Sequence, residues 1–157
     1  MAMTTLLVPV DLSDVSKPVL EKTTELAQQL SARVVVLHVA EPVATYAPVE
    51  ATEELVIPCP PPVDTMEDFS ATNSRLKSLS EPLEAVGVKV ETVTHAGLVV
   101  DDIFEQAAKY HADYIILGSH GHGVLYHLFS KSVVTNALKS ANCPIIVVPL
   151  GCETRKC

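Results

Sequence analysis

The apolar positions of this chain fall into two alternating patterns. Thr5 to Val10 (TLLVPV), Arg33 to Val39 (RVVVLHV), Asp113 to Leu117 (DYIIL) and Pro144 to Leu150 (PIIVVPL) are short, nearly continuous apolar runs. The first two mark strands buried on both faces of a parallel sheet, and the last two read as a fourth and a fifth strand. Val88, Val90, Thr92 and Thr94 alternate instead with polar and charged residues, which predicts a strand nearer the sheet edge, ended by Gly97. Between these runs the spacing becomes helical. Val19, Leu20, Thr23, Leu26, Ala27 and Leu30 form one apolar stripe, preceded by Ser13 and Asp14 as N-cap oxygens, with Pro18 early enough for the first turn to tolerate it. A second helix starts near Met66, carries Leu76, Leu79, Leu83 and Val86 on one face, and meets Gly87 where a C′ residue belongs. A third has Ile103, Phe104, Ala107 and Ala108 on its apolar face and Asp101 and Asp102 in its first turn, where negative charge is favourable. A fourth carries Val133, Val134, Ala137 and Leu138.

Five strands alternating with four helices predict an α/β fold, a doubly wound, five-stranded parallel sheet with helices on both faces, Rossmann-like in kind. Ligands of such sheets bind beyond the carboxyl ends of the strands, where the strand order reverses. An order 3-2-1-4-5 puts the reversal between strands one and four. Asp11, at the end of strand one, then stands beside the loop from Gly118 to Gly123, with Val39 one strand away. One stretch departs from the pattern. Residues 41–64 hold six of the eleven prolines, including Pro60, Pro61 and Pro62 in a row, and read as a partly polyproline surface loop, either a lid or an insertion.

Composition narrows the class. A chain of 157 residues, 48% of them hydrophobic, is enough for one domain with a packed core. No apolar block approaches the roughly 18 residues of a membrane span. The N-terminus lacks the basic and long apolar regions of a signal peptide. A soluble cytoplasmic protein without membrane association is the expectation. A net charge of −8 argues against a nucleic-acid surface, so an anionic ligand must be held locally. The four cysteines form no CxxC pair and suggest neither zinc nor thioredoxin chemistry.

The local device is the strand-loop-helix segment 113–135. Glycines 118, 121 and 123 between a strand and a helix let main-chain N–H groups converge at the positive end of the helix, a cradle suited to phosphate; the plain alternative is a tight turn. His120, His122 and His127 lack a nearby carboxylate or thiolate to complete a metal site. His38, within an apolar strand, reads as a hydrogen-bonded core histidine. There is no G-x-S-x-G elbow and no serine with an identifiable base, so catalysis is not expected. The loop after strand one, Asp11-Leu12-Ser13-Asp14, lacks the glycines that ATP-consuming relatives of this fold, or flavodoxins, place there.

VPVDLSD at strand one, VVVLHV at strand two, HAGLVVDDIFEQA, and ILGSHGHG followed by SVVTNALKSANCPIIVVP together resemble the universal stress protein family over nearly the whole chain. In nucleotide-binding members a Gly-x2-Gly-x9-Gly-Ser/Thr pattern grips ATP. Here Gly118, Gly121 and Ser132 match it, and Lys131 stands in place of the third glycine. The resemblance implies a regulatory module binding ATP or AMP, with Mg²⁺ on the phosphates. It implies that Asp11, flanked by Pro9 and Val10, and the backbone at Val39 address adenine, and that Gly118 lies against ribose. Gly121, Ser132 and the Val133 amide would meet the phosphates, with Ser119, His120, His122 and Lys131 completing that loop. The alternative is a member that binds no nucleotide and acts as a protein-interaction dimer. Either way a protein partner that reads the state of the module is implied.

Assembly follows from the last strand. Placed at the sheet edge, residues 144–150 expose an apolar row with no charge to blunt it. Pro144 and Pro149 remove two donors but leave Ile145 to Val148 able to pair across a two-fold axis, and the family resemblance implies the same homodimer.

Overall fold

A computed structural model describes residues 3–14, 16–40, 69–119 and 141–149. The elements are β1 (Thr5–Pro9), α1 (Ser16–Leu30), β2 (Arg33–Ala40), α2 (Ser70–Ala85), β3 (Lys89–Ala96), α3 (Val99–Lys109), β4 (Tyr114–Gly118) and β5 (Ile145–Val148). The expected fourth helix lies outside the described residues. All strand pairs are parallel and the order is β3-β2-β1-β4-β5, the order expected. β3, the strand whose residues alternate, is at one edge.

The runs of β1, β2 and β4 are buried on both sides because the sheet is covered on both, whereas β5, at the other edge, is only partly covered. Leu6 and Val8 of β1 and Val34 and Val36 of β2 pack with Val19, Leu20 and Ala27 of α1 and Leu76 and Leu83 of α2. Their neighbours Leu7, Val35 and Leu37 turn to the opposite face, against Val99, Ile103 and Ala107 of α3. Right-handed crossovers explain the division. Stepping from β1 to β2 to β3 leaves α1 and α2 on one face, and the return from β3 to β4 carries α3 across the other.

The three helices among the described residues end in one motif. At α2, Gly87 (φ +86°) donates its N–H to Glu84 O at 2.9 Å and Val88 donates to Leu83 O at 3.1 Å, a Schellman closure sealed by Leu83 and Val88 in the core. The left-handed position is filled by Ser31 (φ 51°) after α1 and by His111 (φ 50°) after α3, with Ala32 and Ala112 completing the same bonds. Only the glycine carried a sequence signal. At the end of the sheet away from the carboxyl termini, Asp113 Oδ2 accepts the Thr5 N–H at 2.8 Å and Arg33 donates to Thr5 Oγ1 and Tyr110 O, fixing strand register.

Candidate functional site

The ladder between β1 and β4 ends before those on either side of it. Pairing of β1 with β2 runs through Pro9–Leu37, and β4 stays with β5 through Gly118–Val148, but the pairing of β1 with β4 stops at Leu7–Ile115. Pro9 has no N–H with which to continue it, and this is the point where strand order reverses and where a ligand crevice is expected. Pro9, Val10 and Asp11 stand on one side, Gly118 and Ser119 on the other, and Val39 at the end of the next strand. The structure thus brings these six of the expected site residues to one end of three adjacent strands. His120, Gly121, His122, Lys131, Ser132 and Val133, and the further histidine His127, lie outside the described residues.

Asp11 is held by its own turn. Its Oδ1 accepts hydrogen bonds from Ser13 N at 3.0 Å, Ser13 Oγ at 2.6 Å and Ser16 Oγ at 3.0 Å. Ser13, with Asp14, is expected to offer an N-cap oxygen to α1; in the structure its hydroxyl donates to Asp11. Oδ2 is buried and has no partner among the described residues. An unpaired buried carboxylate oxygen is costly, so this atom calls for a donor.

The turn is tethered from three elements. Ser16, on α1, is buried. From β2, His38 Nδ1 lies 2.9 Å from Val10 O; a carbonyl only accepts, so Nδ1 carries the hydrogen. This is the hydrogen-bonded histidine expected from the strand pattern. From α2, Arg75 donates to Leu12 O at 3.2 Å, and Leu12 has φ 60°, a conformation that costs a non-glycine residue about 1–2 kcal/mol. Ser16 and Arg75 gave no sign of this in the sequence. A two-residue spacing from Asp to Ser does favour an Asx turn, and that signal was open to reading.

A second carboxylate lies at the β3–α3 turn. Asp102 is 6% exposed. His95 Nδ1 is 3.1 Å from Asp102 Oδ1, within ion-pair distance but off the line a hydrogen bond needs. Asp102 Oδ2 and Gln106 Oε1, one turn later, are buried without partners among the described residues. Asp102 rests on Gly97, where an added Cβ would fall 1.9 Å from Oδ2. Gly97 is therefore a close-approach glycine, and its N–H reaches Ala40 O at 3.0 Å, beside Val39.

Among the described residues no three His, Cys, Asp or Glu side chains converge as a metal site, and no helix is long and apolar enough to cross a membrane. Cys143 is unpaired and half-buried, and burial together with the Asp113 carboxylate pushes its thiol above the usual range, away from the reactive thiolate.

Comparison with known proteins agrees with this architecture. The sequence pattern of the Universal stress protein family matches residues 3–149. Universal stress protein A homolog 1 of Coxiella burnetii is 30% identical over 144 residues, 91% of this chain and 94% of its own. Two solved structures share the fold. A universal stress protein in complex with cAMP superposes with a TM-score of 0.65 at 18% identity, covering 95% of this chain and 98% of the other. One from Archaeoglobus fulgidus in complex with dAMP gives 0.63 at 21%, covering 94% and 98%.

Proposed function

The chain belongs to the universal stress protein family, and on that premise we propose that it is a cytoplasmic regulatory module that takes an adenine nucleotide, AMP or ATP, into the crevice between β1 and β4. The observation that carries this reading is the divided carboxylate of Asp11, one oxygen saturated by Ser13 and Ser16 and the other buried and unpartnered among the described residues. The exocyclic amino group of adenine is a donor that suits such an acceptor, whereas guanine presents an oxygen there. A hydrogen bond to a charged group is worth about 1.5–3 kcal/mol. Relatives solved with cAMP and dAMP support an adenine guest. In this reading Val39 meets the base through its backbone and Gly118 borders the ribose. Ser119, His120, Gly121, His122, Ser132 and the Val133 amide then surround phosphates that carry Mg²⁺. Lys131, in place of a glycine, costs about 1–2 kcal/mol if only positive φ is needed there. A cation about 4 Å from a phosphate can offset up to about 4 kcal/mol. No residue is assigned a catalytic role. The 41–64 segment is an insertion in one domain.

Equilibrium dialysis of nucleotide-free protein against AMP and ATP tests this. Uptake of at least one is expected, and no uptake of either at millimolar concentration overturns it. Lys131→Gly then separates the two readings of the position: ATP affinity gained from nothing would favour a natural protein that binds no nucleotide.

A second reading, compatible with the first, rests on β5. This edge strand is four apolar residues long, with Val147 47% exposed. A second copy pairing antiparallel along it would cover the edge. Val147→Lys is expected to convert a dimer to monomer or aggregate in sedimentation at tens of micromolar. A wild-type monomer, or an equally tight mutant dimer, would end this reading.

A further inference from the structure

Resting on the adenine-nucleotide reading above, we propose that His38 is a positioning residue of that site. Its imidazole fastens the strand carrying Val39 to the turn carrying Asp11, and ends the β1–β2 ladder so that the peptide groups of Val39 face the crevice.

The ladder shows how. Arg33 N–H donates to Thr4 O at 2.8 Å and, at the other end, Val10 N–H donates to Leu37 O at 2.8 Å. In a parallel ladder the N–H and C=O of one residue point to the same neighbour and alternate along the strand. Odd-numbered residues of β2 therefore address β1, and even-numbered ones address β3, as the bond from Gly97 N–H to Ala40 O confirms. Val39 is next in the odd series. Its N–H would ordinarily go to the Val10 carbonyl, the following acceptor. That carbonyl receives the His38 Nδ1–H at 2.9 Å instead. The imidazole thus substitutes for a strand amide. It preserves the spacing between β2 and the turn while leaving the main chain of Val39, next in the odd series, on the β1 side beyond the last β1–β2 backbone bond, the side of the strand that leads into Asp11. Base recognition by one backbone segment and one carboxylate from different strands requires their separation to be set before the ligand arrives, and no residue of the turn alone can set it.

Two substitutions of similar size distinguish the role. Asparagine places its amide nitrogen close to the position of Nδ1, and glutamine places it nearer that of Nε2. On the full chain, AMP affinity is expected to stay within about threefold of wild type for His38→Asn and to fall about tenfold for His38→Gln, the loss of one net hydrogen bond of about 1.4 kcal/mol. Thermal midpoints of the two variants should lie within a few degrees of each other. His38→Gln binding AMP as tightly as wild type, or His38→Asn as weak as His38→Gln, would overturn the proposal. A wild type that takes up no AMP overturns the nucleotide reading itself and this role with it. The clamp is read separately by two-bond ¹H–¹⁵N spectra of histidine-labelled, nucleotide-free protein. The Nδ1-protonated form is expected at His38, and the Nε2-protonated form would refute the clamp even if AMP binds.

Discussion

Asp11 and Asp102 each stand where a strand gives way to a helix, the first between β1 and α1 and the second in the opening turn of α3. Asp11 is half-buried and collects three donors from within five residues of chain, all on Oδ1. Asp102 collects none from its own turn. It is 6% exposed, has His95 at 3.1 Å, and lies against the backbone at Gly97. The unsatisfied N–H groups that open α3, whose N-cap residue Leu98 makes no side-chain cap bond, favour a negative charge there. The two carboxylates therefore differ in what holds them. Local donors fix the direction of Asp11, all on one oxygen, while the other is buried without a partner among the described residues. Asp102 Oδ2 is likewise buried without such a partner, and it lies against the backbone at Gly97 and not against a set of donors.

Substitutions can break this contrast. Asp11→Asn keeps an acceptor for Ser13 and Ser16 but turns the second oxygen into a donor. AMP affinity should fall at least tenfold, about 1.5–3 kcal/mol, while the unfolding midpoint hardly moves. Unchanged affinity by calorimetry would mean that the oxygen reads nothing. Gly97→Ala should act the other way, lowering stability by about 1–3 kcal/mol in denaturant titration, because the new Cβ displaces a buried carboxylate. Combined with Asp102→Ser the loss should be less than additive, and strict additivity would show that the contact is not the reason. The smallest effect sharpens the comparison. Asp101, exposed in the same turn as Asp102, touches the helix end only through its field. Asp101→Asn should cost about 0.3–1 kcal/mol at low salt and less in 1 M salt. A larger, salt-insensitive loss would place Asp101 in a contact.

The alternation of apolar runs and helical stripes was sufficient for the class of fold as far as it is described: which segments are strands, that β1 and β2 are buried on both faces, and that β3 lies nearer an edge than these. These follow from periodicity, because a residue two places along a strand must return to the same environment. The glycine at position 87 was legible for a similar reason, since only its own backbone needs the positive φ. Ser31 and His111 adopt the same region without any local sign, in closures made by bonds to the last turn of their own helices, whereas Leu12 does so beside a bond from Arg75 of α2. Gly97 was readable as a strand terminator but not as the floor beneath Asp102, five residues on. Tertiary structure alone decided that His38 would reach the Val10 carbonyl, that Arg75 would reach Leu12 from 63 residues away, and that Asp11 would be held by donors while Asp102 would lie against Gly97. Each of these depends on which groups arrive from other elements, and hydrogen-bond partners brought together by packing leave no period in the chain.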